Sequence, residues 1–225
     1  NPLIRTEEGY DMDLEGLEEI CITYSPKILI LCNPHNPAGI VWSKETLAEM
    51  ARTCSKYGVM VISDEIHADM ALFDNHHTPF PMASEEARNI SITFAAPTKT
   101  FNIAGLVSSF SVVHNPEIRE RFYGWLNANH LASPAFIAAV ATEAAFTKGG
   151  EWRRQMLDYV EGNVRFVEDY LAKNIPAIRA MRPQASFLIW LDCRELGLEQ
   201  EALKDLFINK ARLALNDGEA FGKEG

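Results

Sequence analysis

Lys99 stands between two threonines in the segment APTKTFNIAG (Ala96 to Gly105), directly after the apolar run ISITF. A lysine that is partly desolvated in such a loop loses proton affinity and becomes a nucleophile toward carbonyl carbon, as Schiff-base chemistry requires. Two other segments have the same placement: NPHNPAG (Asn33 to Gly39) follows ILIL, and SDEIHADM (Ser63 to Met70) follows VMVI. In the first, prolines on either side of Asn36 fix a tight loop, so the Asn36 amide is presented in a set direction and can hold a ligand oxygen. In the second, Asp64 ends a buried strand, where an unpaired carboxylate is costly, and a cationic partner such as a protonated cofactor nitrogen would satisfy it.

Taken singly, each residue has an ordinary explanation. A loop lysine is usually a solvated charge, an Asp-Glu pair after a strand often begins a helix, and Asn-Pro is a common turn. His67 alone reads as a hydrogen-bonded core residue, and His76 and His77 read as solvated loop residues. What favours a site is that all three segments lie just past the carboxyl ends of candidate strands, where open α/β sheets bind their ligands.

Those strands are Ile28 to Leu31, Val59 to Ile62, Ile90 to Phe94 and Val107 to Val113, and their alternation with amphipathic stretches is the mark of βα units and a mainly parallel sheet. Between the first two, Leu47, Met50, Ala51, Cys54 and Tyr57 share one helical face, with Ser43 placed to cap its start and Gly58 its end. From Pro116 the pattern turns helical, over 117–129, 135–148 and 151–173. After Pro176 it returns to a strand over 186–191 and a helix over 200–213. A large domain over residues 1–160 and the start of a smaller α+β domain over 161–225 are expected.

Composition narrows the function. The chain has 225 residues, 47% of them hydrophobic, enough for a substantial core. A net charge of −10 without long single-sign runs argues against nucleic acid or an anionic membrane as the main partner and leaves a small molecule as the default. Nothing resembles a membrane span or the apolar core of a signal peptide, so a cytoplasmic setting is expected. Cys21, Cys32, Cys54 and Cys193 lack CxxC spacing and read as reduced thiols. The opening and closing residues suggest a piece of a longer chain. VISDEIH is similar to the magnesium box of helicase-type ATPases, but no GxxxxGK[ST] accompanies it, and a metal site at Asp64, His67 and Asp69 would lack a fourth ligand.

The order NPHNPAG, SDEIH, TKTFNIAG resembles the core of the fold-type I pyridoxal-phosphate enzymes, the aspartate aminotransferase superfamily, over essentially the whole chain. The resemblance implies a three-layer αβα fold. It also implies that Asn36 bonds the cofactor's phenolic oxygen, that Asp64 pairs with its pyridine nitrogen, and that Lys99 forms the Schiff base. Ordinary aminotransferases of this kind carry a tyrosine where this chain has His67, and an arginine for the cofactor phosphate where it has Val107.

Both departures, with FLIWLDCRELG downstream, are similar to the cystathionine β-lyase subgroup typified by MalY and PatB. That resemblance implies β-elimination from a small sulfur-containing amino acid, with amino transfer as the alternative, and a homodimer with shared active sites. A transcription-regulator partner of the kind reported for MalY-type proteins is implied as well. Thr98 is the best phosphate ligand left in this chain, because Ala96 stands where relatives often carry a serine. The arginine for the substrate carboxylate and the remaining phosphate ligands are expected outside these 225 residues.

Overall fold

The computed structural model describes residues 2–7 and 9–222. Its centre is a four-stranded sheet in the order β3 (Ile28–Cys32), β4 (Met60–Asp64), β5 (Ser91–Ala95), β6 (Phe110–Val112). The first three strands are parallel and β6 is antiparallel to β5. Register aligns Cys32 with Asp64 and Asp64 with Phe94, so the carboxyl ends of the parallel strands are level. The three sequence segments therefore leave the sheet side by side.

Side-chain alternation divides the sheet into two faces. Leu29, Leu31 and Val61 pack against α1 (Leu14–Tyr24), α2 (Lys44–Lys56) and the short α3 (Glu85–Ile90) in the main core. The expected apolar face of α2 is the buried one, for Leu47, Met50, Ala51 and Cys54 are each at most 1% exposed. Ser43 caps this helix by accepting from Thr46 N, and Gly58 follows it at φ +68°, the left-handed backbone that glycine adopts freely. On the opposite face, Phe94 meets Phe122 of α4 (Pro116–Ala128) edge-on. Helices α5 (Phe136–Lys148) and α6 (Gly150–Asn174), joined through Gly149, follow. Hairpins β1–β2 (Ile4–Arg5, Tyr10–Asp11) and β7–β8 (Arg179–Met181, Trp190–Asp192) complete the sheets.

Three expected elements differ. The strand over 107–113 shrinks to Phe110–Val112, because Val107 closes a 3-10 turn in left-handed backbone at φ +48°. The strand over 186–191 is confined to Trp190–Asp192, since residues 184–186 spend their backbone groups on other parts of the chain and Ser186 itself lies at φ +76°. The helix over 200–213 is α-helical only through α7 (Gln200–Asp205), then widens to a π-turn in which Ala211 N donates to Leu206 O. Among the described residues no helix is long and apolar enough to cross a membrane.

Candidate active site

The hydrogen-bond ladder continues past the strand ends: Asn33 N donates to Asp64 O at 2.9 Å and Glu65 N to Phe94 O at 2.8 Å. These two bonds draw the NPHNPAG, SDEIH and PTKT segments together. Within NPHNPAG the Asn33–Pro34 and Asn36–Pro37 peptides are cis. The loop closes through His35 N to Ile40 O and Gly39 N to His35 O, both 2.7 Å. Buried Asn33 anchors the loop by donating from Nδ2 to Thr78 O at 3.0 Å. Asn36 is exposed, and its backbone N donates to Cys32 Sγ at 3.3 Å. Cys32 is the register partner of Asp64, and its thiol is pushed up by burial and, more weakly, by the Asp64 charge.

Asp64 and Lys99 both lie near enough to His67 for their charges to act on its imidazole. Asp64 is half-buried and its Oδ1 accepts from Ile66 N at 3.2 Å. His67 is 2% exposed, yet neither ring nitrogen has a hydrogen-bond partner among the described residues. An imidazole so deprived of water normally meets a partner, and one unmet on both sides marks a position for a ligand. Burial first, then the charge of Lys99, hold this imidazole below its ordinary range, and Asp64 opposes them. Lys99 is exposed on a turn closed by Phe101 N to Pro97 O at 2.9 Å and Ile103 N to Thr98 O at 3.0 Å. Thr98 is half-buried beside it, and Thr100, 1% exposed, has a hydroxyl without a hydrogen-bond partner among the described residues.

A segment from far down the chain, which no motif announces, closes this arrangement. Gln184 N and Ala185 N both donate to Gly39 O, at 2.7 and 3.1 Å, and Val41 N donates to Gln184 Oε1 at 2.9 Å. On the other side Leu72 N donates to Gln184 O at 2.8 Å and Ser186 N to Met70 O at 3.0 Å. Phe187 then meets the His67 ring edge-on at 5.9 Å. Residues 184–187 thus join the Asn36 loop to the His67 turn. Backbone pairing of this kind leaves no residue-type signal beyond Gly39, whose carbonyl accepts two of these bonds.

His77 departs from expectation. His76 is exposed, but the His77 side chain is only 8% exposed and lies 2.8 Å from the buried Glu65 carboxylate. The polar environment of a loop histidine is here supplied by the strand end beneath it. No group of three or more His, Cys, Asp or Glu side chains among the described residues could hold a metal ion.

Chemically, the opening offers an accessible primary amine, a carboxylate, an unmet imidazole and a loop amide, converging from three adjacent strand ends. The model for aminotransferase class I and II matches residues 3–225. The chain belongs to that family. It is 40% identical to cystathionine β-lyase PatB of Bacillus subtilis across all 225 residues, and 32% identical to protein MalY of Escherichia coli across 99% of its length. It spans 58% of PatB and 57% of MalY. Among solved structures, cystalysin of Treponema denticola, which contains pyridoxal 5'-phosphate, superposes with a TM-score of 0.93 at 34% identity, over 99% of this chain and 57% of that one. The fold is that of pyridoxal-phosphate-dependent aminotransferases, with a mixed, mostly parallel sheet flanked by helices.

Proposed function

We propose that this family member is a pyridoxal-phosphate-dependent carbon–sulfur β-lyase acting on cystathionine or a cysteine-type amino acid. The observation that carries the reading is a buried His67 whose two ring nitrogens have no hydrogen-bond partner among the described residues and whose imidazole feels the charges of both Lys99 and Asp64. The chemistry of these residues suits the cofactor: Lys99 would form the Schiff base with its carbonyl carbon, Asp64 would keep its ring nitrogen protonated, Asn36 and His67 would serve its phenolic oxygen, and Thr98 would contribute to its phosphate.

When bound, pyridoxal phosphate supplies a ring that accepts the electron pair left on Cα. The rest falls to the side chains. Once freed by the substrate amine, Lys99 would be the general base that takes the Cα proton. Asp64 stabilises charge that develops only as that proton leaves, and so lowers the barrier rather than merely tightening binding. Asn36 and His67 would hold the ring in place relative to Lys99. The thiolate then departs from Cβ, and hydrolysis of the remainder gives pyruvate and ammonia.

Amino transfer is the alternative within the family, and His67 and Val107, at positions where aminotransferases usually carry tyrosine and arginine, support the lyase reading. Incubating the full-length protein with cystathionine tests it. Catalytic release of pyruvate and thiol is expected, and keto-acid-dependent amino exchange without thiol would overturn it. A smaller domain beginning near residue 161, a homodimer with shared sites, a cytoplasmic setting and a regulator partner belong to the same proposal. Sedimentation of the full-length protein checks the dimer.

A further inference from the structure

Asp64 and Glu65 are neighbours in sequence but face opposite ways, because successive side chains at a strand end alternate between faces. Asp64 lies with Cys32 on the face that opens to the site, whereas Glu65 lies with Ser63 on the face packed against α2 and α3. There Glu65 is 3% exposed. A carboxylate in that layer needs donors, and it has three: Ser63 Oγ and Phe80 N donate to Oε1, each at 2.8 Å, and His77 Nε2 donates to Oε2 at 2.8 Å.

The donors come from two directions. Ser63 belongs to β4, while His77 and Phe80 belong to the loop running from β4 to α3. That loop is also tied to the end of β3, since Asn33 Nδ2 donates to Thr78 O. Residues 77–80 therefore form a floor beneath the ends of both strands, and Glu65 is the bolt through it. An apolar side chain of equal volume would fill the same space, and a buried ionic group adds little net stability over such a replacement. What the carboxylate adds is direction: three bonds fix the peptide adjoining Asp64.

We propose that the buried Glu65–His77 pair is a positioning device for Asp64, setting how firmly the carboxylate on the opposite face can hold the cofactor's ring nitrogen. The inference rests on the assignment of Asp64 to the cofactor made above.

The test uses full-length protein carrying Glu65→Gln, His77→Asn, or both, with cofactor affinity of the apoprotein measured by fluorescence and the bound cofactor's absorption spectrum recorded. Outer partners of metal ligands typically change affinity by about 10–100-fold when removed, and a loss of about 10-fold is expected here in each single variant. The double variant should lose no more than the weaker-binding single one, because both cut the same tie. Folded variants with wild-type affinity and spectrum, or losses that add in the double variant, would overturn the proposal. A second measurement needs no variant: the His77 imidazole resonances of wild-type apoprotein should move when cofactor is added, and resonances that stay put also overturn it. Failure of the underlying cofactor assignment looks different, since wild-type protein would then take up no pyridoxal phosphate on Lys99.

Discussion

Gly39 and Pro183 lie so close that a β-carbon built on Gly39 would stand 2.7 Å from the Cβ of Pro183. The same position has φ +69°, and its carbonyl accepts from both Gln184 N and Ala185 N. The last residue of NPHNPAG is thus a glycine for two independent reasons, and both concern the contact with residues 183–185. Gly39→Ala should destabilise the protein by roughly 2–5 kcal/mol, combining ~1–2 for left-handed backbone with ~1–3 for overpacking. Urea titration measures this, and an unchanged midpoint would show that the two segments separate freely.

Lys99 is exposed on its turn, and no described contact of its side chain holds the fold together. Lys99→Ala should therefore leave the unfolding midpoint within error and abolish pyruvate release. In the wild type, borohydride reduction followed by peptide mapping should mark Lys99. Label on another lysine would end the assignment of this residue.

Asp64→Asn keeps the shape of the side chain and its acceptance from Ile66 N, but removes the charge. Loss of one preorganised electrostatic contact in an active site typically costs about 10²–10³ in rate, and a fall of that order in kcat is expected. Activity near wild type would mean that the ring nitrogen needs no anionic partner.

Much of this site was legible because its residues are local to strand ends. An apolar run, a break and a polar residue suffice to place Asn36, Asp64 and Lys99 on one rim, since parallel strands in register bring their carboxyl ends level whatever lies between them. Helix α2 was equally readable, through its apolar period and its Ser43 cap. What escaped was of another kind. Residues 184–186 are held by backbone bonds to Gly39, Met70 and Leu72, which depend on no side-chain type. His77 looked solvated because the carboxylate that buries it belongs to Glu65, whose direction is set by strand alternation rather than by its neighbours in sequence.

The buried imidazole of His67 carries a pH signature. Its folded-state affinity for protons is below the ordinary value of 6.5, chiefly through burial, and His35 is displaced the same way by burial alone. Well above pH 6.5 both histidines are neutral in the folded and unfolded chain and contribute no pH dependence. As pH falls below 6.5 the unfolded chain binds protons that the folded one refuses, so stability declines until the folded-state values are passed. Unfolding free energy measured from pH 7.5 to 5 should fall in wild type and fall less in His67→Phe. Parallel curves for the two proteins would contradict the assignment.

Asp192 joins the two ends of the described chain: its carboxylate meets Arg5 Nη2 at 2.9 Å and Arg194 Nη2 at 2.8 Å. The two arginines are not equivalent. The Arg194 side chain is 68% exposed and can turn to water, whereas that of Arg5 is 17% exposed, with its guanidinium 5.6 Å from the Tyr10 ring centre. Hydrogen bonds from Arg194, reinforced by the Arg5 charge, hold the Asp192 carboxyl well below the usual carboxylate range. Asp192→Asn removes one opposing charge from a cation that solvent cannot fully reach. The expected cost is about 1–2 kcal/mol, below the 3–5 of a fully buried pair because both partners retain some contact with water. Arg194→Ala should leave the unfolding midpoint nearly unchanged, since Arg5 still faces the carboxylate. If the two substitutions destabilise equally, the tie between the β1–β2 hairpin and β8 runs through exposed Arg194, and the burial of Arg5 is incidental.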